Sequence, residues 1–236
     1  MKALIFAAGL GERMRPLTER MPKPLLEAGG KPLIVWHLEK LAACGIGDVV
    51  VNTSWLADRF PQALGDGTRW NLRIRYSYEG LTPLETGGGM LHALPLLDEK
   101  EPFLLVNGDI WTDYDFAQLP REPAGLAHLV MVDRPDHATH GDFALDEDGH
   151  VRVDGAHRLT YAGLGVYRPQ LLQDWRAIVT AEPGADAVPP RFRLAPILRA
   201  QMPQGAITGE HHRGRWTDVG TPERLAELDA QLRDTH

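Results

Sequence analysis

The sequence predicts an α/β fold, a mostly parallel sheet with helices on both faces. Three observations predict it. The first 133 residues alternate strand-like and helix-like segments at short intervals, the pattern of parallel strands joined by crossover helices. The first apolar run ends directly in a glycine loop, Gly9-Leu10-Gly11. Finally, 236 residues that are 43% hydrophobic and 24% charged suffice for a substantial core and argue against disorder.

Taken in order, Leu4 to Ala8 reads as a short buried strand ending at Gly9. Pro32 to Ala43 carries Leu33, Ile34, Trp36, Leu38 and Leu41 near a 3.6 period, a helix. "DVVVNTS" (48–54) is a second strand. "LADRFPQALGDG" is a short helix interrupted by Pro61 and stopped by Gly65. "RIRYSYE" (73–79) alternates as a strand does. "TGGGMLHALPLL" opens with three glycines and continues as a helix. "PFLLVNGD" (102–109) and "AHLVMVD" (127–133) are further strands. In such sheets ligands bind at the carboxyl ends of the strands. The positions to watch are therefore the Gly9 loop, Asn52–Thr53, Glu79 and Asn107-Gly108-Asp109.

The second half reads differently. "GDFALDEDGHVRVDG" is a hairpin with a "DEDG" turn, and "YAGLGVY" (161–167) is a strand. "GADAVPPR" is a loop. "FRLAPILRAQM" is a helix whose break at Pro196 falls near its start. "AITGEHHRGRWTDVG" reads as two strands joined by a tight turn. "TPERLAELDAQL" is a closing helix, with Thr221 as N-cap, Pro222 first and Glu223 in the first turn. No repeat or linker interrupts the chain, so one domain over 1–236 is expected, its hairpin-rich second half covering the strand ends of the first.

The net charge of −7 gives no broad reason to bind nucleic acid or an anionic membrane. The lone Cys44 excludes an internal disulfide and a cysteine metal site; a reducing, cytoplasmic setting fits. The N-terminal apolar run of about six residues is shorter than the roughly 7–15 of a signal peptide core. No run approaches the roughly 20 residues of a membrane span. Ten histidines form no His-Glu-x-x-His or Cys/His grouping, and adjacent His211 and His212 on a strand point to opposite faces.

Against that acidic background, "FAAGLGERMRPLTERMPKPL" (6–25) gathers Arg13, Arg15, Arg20 and Lys23 behind a glycine loop. A glycine loop after a strand exposes N–H groups that cradle phosphate. It is not a Walker A loop, since Gly-x4-Gly-Lys-Ser/Thr does not occur. It is not a dinucleotide fingerprint either, since Met14 stands where the third glycine belongs. What remains is Gly-x-Gly, then arginine forks, then a lysine held between Pro22 and Pro24, a set suited to phosphate.

This stretch resembles the signature of the sugar-1-phosphate nucleotidylyltransferases, and the likeness continues through "LETGGGM", "LLVNGDI", "YAGLGVY" and "GRWTDVGTPERL". Its short length and the segments "PLETGGG", "LLVNGDIWTDYDF" and "GLAHLVMVD" most resemble the branch that moves uridylyl from UTP to N-acetylmuramate 1-phosphate in bacterial cell-wall recycling. The resemblance implies a Rossmann-like nucleotide-diphospho-sugar transferase fold, with a nucleotide-binding part near 1–125 and a sugar-binding part near 126–236. It implies UTP and a sugar 1-phosphate as partners, Mg²⁺ as cofactor and, given the short C-terminus, a monomer. The alternatives are thymidylyl or guanylyl transfer to glucose or mannose 1-phosphate, and a catalytically silent nucleotide-sensing subunit.

The resemblance also assigns residues. Gly9, Gly11, Glu12 and Arg13 would hold the triphosphate. Lys23 would reach phosphate near the reacting centre, with Arg13 and Asp109 completing the catalytic set. Asp109 and Asp218 would share Mg²⁺, although they lie 109 residues apart and that spacing says nothing about their meeting. Gly87 and Gly88 would lie against the pyrimidine, with either Glu79 or Glu85 facing it. Asn107, Asp142 and Gly163 would hold the sugar. Tyr161-Ala162-Gly163 stands where many relatives carry Asn-Ala-Gly, which weakens glucose or mannose phosphate as the acceptor.

Overall fold

Alternation along the first strand sets up both faces of the molecule. In Lys2–Phe6, Ala3 and Ile5 enter one apolar cluster and Leu4 enters another, as the period of two dictates. The computed structural model describes residues 1–234. In chain order the strands are Lys2–Phe6 (β1), Glu27–Ala28 (β2), Lys31–Pro32 (β3), Asp48–Thr53 (β4), Arg73–Tyr78 (β5), Phe103–Asn107 (β6), Ile110–Thr112 (β7), Ala127–Val132 (β8), Phe143–Leu145 (β9), Val151–Arg152 (β10), Arg158–Tyr167 (β11), Ile207–His211 (β12) and Trp216–Asp218 (β13). The α-helices are Leu33–Ala43 (α1), Arg59–Leu64 (α2), Glu85–Ala93 (α3), Trp175–Ile178 (α4), Leu194–Gln201 (α5) and Pro222–Arg233 (α6).

The main sheet runs β5-β4-β1-β6-β11, parallel from β5 to β6 and antiparallel at β11. Beyond β6 the long β11 pairs with both β8 and β9; β12 adds to β8 and β10 to β9. The chain goes from β1 outward through β4 and β5, then returns to the other side of β1 at β6. The order therefore reverses at β1 and β6, and a crevice opens beyond their carboxyl ends. Helices α1 and α2 bury Ile34, Leu38, Leu41 and Phe60 against one face. Helices α3 and α5 bury Met90, Ala93, Ile197 and Leu198 against the other. A third cluster seats Leu228 and Leu232 of α6 on Ala28 and Trp111.

Most predicted elements form, with instructive shifts. β1 ends at Phe6, two residues early, because the Ala7 N–H donates to the Asn52 side chain at 2.5 Å. Pro61 does not interrupt α2. It occupies the first turn, where the missing N–H would have had no helical partner. The stretch 207–218 is not a hairpin: β12 runs parallel to β8, whereas β13 pairs antiparallel with β7 in a separate ribbon. The "DEDG" turn forms as expected, with the Gly149 N–H donating to the Asp146 carbonyl. Thr221 caps α6 by accepting from the Arg224 N–H.

Candidate active site

The crevice beyond β1 and β6 is a cleft of about 700 Å³. Gly9, Gly11, Glu12, Arg13, Lys23, Asn107 and Asp109 all line it, so seven of the residues singled out from the sequence share one cavity. The loop after β1 needs glycine at position 11. Gly11 has φ +64°, and a Cβ there would lie 2.7 Å from the Thr18 methyl. The Thr18 hydroxyl donates to the Gly11 carbonyl at 2.7 Å, fixing the turn. Arg15 is exposed and lies outside the lining.

Lys23 reaches the cleft because Pro24, which follows it, docks on the turn after β6. The Gly108 N–H donates to the Phe6 carbonyl at 2.8 Å. A Cβ at Gly108 would meet that carbonyl oxygen at 2.8 Å and Pro24 at 3.2 Å. This close approach sets the Lys23 ammonium 2.6 Å from the Asp109 carboxylate. Lys23 is 9% exposed, so its charge depends on that partner or on a bound anion.

The β7–β13 ribbon brings the Asp218 backbone beside that of Asp109, but the Asp218 side chain does not line the cleft. Asp218 pairs with Ile110, and the Val219 N–H donates to the Asp109 carbonyl at 2.8 Å. The Asp218 carboxylate accepts from Arg224 at 2.5 Å and lies 3.0 Å from His137 Nε2. Behind the ribbon, His37 Nε2 lies 3.0 Å from the Ile110 carbonyl. Burial pulls the His37 pKa down to about 4, so the ring is neutral and Nε2–H donates.

The opposite wall holds a buried polar chain. Asn52 accepts from the Ala7 N–H and donates to Glu79 at 2.6 Å; Glu79 in turn accepts from the Leu84 N–H at 2.7 Å. This chain ties β1, β4, β5 and the start of α3 together. Burial pushes the Glu79 pKa up to about 7, opposed by those two hydrogen bonds. Glu85 also lines the cleft, but its carboxylate pairs with Arg191 at 3.0 Å, so the two glutamates differ in kind.

Gly87 and Gly88 stand elsewhere than expected. Both are buried in α3, absent from the lining, and both N–H groups donate to the Phe192 carbonyl. A Cβ at Gly87 would lie 2.5 Å from the Phe192 ring, and one at Gly88 would lie 2.5 Å from the Pro190 carbonyl. The close backbone approach they permit is to the 190–192 segment, and Glu85 and Thr86 face the cleft instead.

A smaller cavity of about 170 Å³ opens beside the cleft, sharing Phe6, Thr86 and Asn107 with it. Asp142 lines it and accepts from the Tyr161 N–H at 2.9 Å. Gly163, at φ +72°, leaves room for Asn107, whose amide a Cβ there would meet at 2.5 Å. Asn107 therefore stands where the two cavities join. Sequence reasoning missed Arg191, Thr86 and Arg199 here, because nothing in a loop or helix pattern marks which side chain turns toward a distant strand end.

Residues 2–155 match the family model described as nucleotidyl transferase. The chain is 46% identical to the N-acetylmuramate alpha-1-phosphate uridylyltransferase of Neisseria meningitidis, covering 98% of this chain and 97% of the relative. It is 33% identical to the protein of that name from Caulobacter vibrioides, covering 98% and 96%. A mannose-1-phosphate guanyltransferase from Aspergillus fumigatus is 31% identical, but only 62% of its length is matched. Among solved structures, one described as a glucose-1-phosphate thymidylyltransferase from Bacillus anthracis superposes with TM-score 0.82 at 20% identity, covering 99% of this chain and 96% of that one, a likeness of fold. With a phosphate-suited glycine loop, its lysine and the strand-end aspartate in one cleft, and with these matches, the chain belongs to the nucleotidyl transferase family.

Proposed function

We propose that the protein transfers UMP from UTP to N-acetylmuramate 1-phosphate, giving UDP-N-acetylmuramate and pyrophosphate. The observation that carries this reading is the meeting of Lys23 and Asp109 at 2.6 Å, between a glycine loop fit for a triphosphate and the junction at Asn107 where a side cavity opens. The similarity to the Neisseria and Caulobacter enzymes supports the choice of base and acceptor.

The acceptor phosphate oxygen attacks the α-phosphorus, and the bond to pyrophosphate breaks. A phosphate monoester has a second pKa near 6, so the nucleophile is a dianion at neutral pH and needs no general base. The obstacle is repulsion between two anions, and positioning with charge neutralisation overcomes it. The N–H groups and Arg13 of the 9–13 loop bind the triphosphate. Lys23 exchanges Asp109 for phosphate oxygens and bridges the two substrates. Of Glu79 and Glu85, which both line the cleft, Glu79, which forms no ion pair among the described residues, would face the pyrimidine. Its protonated form offers one O–H donor, and its two hydrogen bonds hold the carboxyl in place.

Asp109 and Asp218 would hold Mg²⁺. One carboxylate in the turn before β7 and another at the end of its partner strand β13 would suit a hard ion that keeps waters and takes other oxygens from phosphate. Among the described residues no cluster of three or more His, Cys, Asp or Glu side chains forms, so the remaining oxygens would have to come from substrate and water. The ion would neutralise phosphate charge. The protein is proposed to work as a cytoplasmic monomer, a setting that suits its single cysteine. No helix among the described residues is long and apolar enough to cross a membrane.

The test is pyrophosphate release with Mg²⁺, crossing UTP, dTTP and GTP with N-acetylmuramate, N-acetylglucosamine, glucose and mannose 1-phosphates. Turnover confined to UTP with N-acetylmuramate 1-phosphate is expected. Preference for another pair would keep the chemistry and replace the substrates, and silence with every pair would refute the enzymatic reading.

A further inference from the structure

The 170 Å³ side cavity has more room than a sugar hydroxyl needs, and its lining is unusual. Leu105, Phe143, Leu194 and Leu198 make it largely apolar. Arg199, on the outer turn of α5, closes one side with its guanidinium 5.6 Å from the Phe143 ring centroid. Arg199 is exposed and forms no ion pair among the described residues, so its guanidinium is open to an incoming anion. The only carboxylate in the lining, Asp142, is turned to the Tyr161 N–H. An apolar recess with one unmatched guanidinium suits a short arm that is apolar along its length and anionic at its tip.

We propose that this recess takes the 3-O-lactyl arm of the acceptor sugar, its methyl against Leu194 and Leu198 and its carboxylate paired with Arg199. The assignment rests on the acceptor reading above and makes Arg199 the residue that selects for the acid. The geometry is consistent along the cleft. Asn107 stands where the cavities join, two residues from Asp109, so a sugar whose phosphate sits beside Lys23 and Asp109 can reach over Asn107 into the recess. Asp142 sharpens the choice, because a carboxylate entering beside it is repelled unless Arg199 neutralises it.

The experiment compares N-acetylmuramate 1-phosphate with its lactyl methyl ester, which keeps the arm and removes the charge. A charge-assisted hydrogen bond is worth roughly ten- to a hundredfold in affinity. The wild type should therefore prefer the acid by about that factor in kcat/KM, mostly through KM. Arg199→Ala should lose the preference for the acid and, with Asp142 left unopposed, turn toward the ester, and Arg199→Lys should recover part of the preference. Equal use of acid and ester by the wild type would overturn the assignment, as would a preference that Arg199→Ala retains. Wild-type refusal of N-acetylmuramate 1-phosphate, with another acceptor used, would instead overturn the acceptor reading and this inference with it. The ester comparison needs no variant, so a poorly folding Arg199→Ala would not leave the question open.

Discussion

The Lys23–Asp109 pair is asymmetric in a way that can be measured. The Lys23 side chain is 10% exposed and that of Asp109 is 39% exposed. Removing the aspartate strands a buried cation, while removing the lysine leaves a carboxylate that water reaches. Asp109→Ala should therefore lower the melting temperature more than Lys23→Ala. Both should lose activity by on the order of a hundredfold or more, the scale of losing one preorganised charge partner in the transition state. Unchanged turnover in either variant would remove that residue from the mechanism. A second residue-scale test comes from Glu79. Its folded pKa, about 7, lies above its ordinary 4.5, so its contribution to stability is full below pH 4.5 and is lost as pH rises through 7. His37 has the opposite sign: its folded pKa, about 4, lies below 6.5, so its contribution is full above 6.5 and lost as pH falls through 4. The two slopes oppose each other across pH 4.5–6.5. Glu79→Gln removes one of them, so its stability relative to wild type should rise by about 3 kcal/mol between pH 4.5 and 8. Parallel unfolding curves for the two proteins over that range would show that Glu79 ionises normally.

At the scale of elements, the glycine loop is the part most tightly specified by its neighbours. Gly11 combines a left-handed φ with a close approach to Thr18. Gly11→Ala should raise the KM for UTP at least severalfold through both effects, the backbone strain alone costing about 1 kcal/mol. Adding Thr18→Ser removes the methyl but keeps the hydroxyl that donates to the Gly11 carbonyl. The double variant should therefore bind UTP better than Gly11→Ala, yet short of wild type. Full recovery would show that φ carries no cost here, and no recovery that the methyl contact is irrelevant. The β7–β13 ribbon is specified at longer range, setting Asp218 beside Ile110 and the Val219 N–H on the Asp109 carbonyl. Pairing across about a hundred residues leaves no periodic signal, which is why 207–218 read as a local hairpin.

For the whole molecule, one sheet carries both cores. Ala3 and Ile5 face one cluster and Leu4 the other, and Val106 and Leu105 of β6 repeat the split. Antiparallel β11 then joins β6 to the strands of the second half. Neither cluster can lose its packing while the strands it shares stay folded, so unfolding should be cooperative. Circular dichroism at far-ultraviolet wavelengths and tryptophan fluorescence should report coincident denaturant transitions. Separated midpoints would show that the 126–234 half unfolds on its own. The cleft also depends on this scale: the nucleotide-loop wall comes from the parallel strands, and the recess of Arg199 from β9, β11 and α5.

The sequence by itself determined the local pieces. Apolar runs, turn residues and caps place β1, α1, β4, β5, β6 and α6 to within a residue or two, because period, glycine and proline act on the chain nearby. It also determined the chemistry of the loop, since Gly-x-Gly, arginine and Pro-Lys-Pro lie within one short stretch. Tertiary structure alone decided which distant groups meet. It brings Lys23 to Asp109 across 86 residues, seats β13 beside β7, and leaves Glu79 buried in the cleft while Glu85 pairs with Arg191. It turns Gly87 and Gly88 to Phe192 and leaves Arg199 without a carboxylate beside an apolar recess. These outcomes depend on burial and on strand order, which form only when the whole sheet is assembled, and no local pattern encodes them.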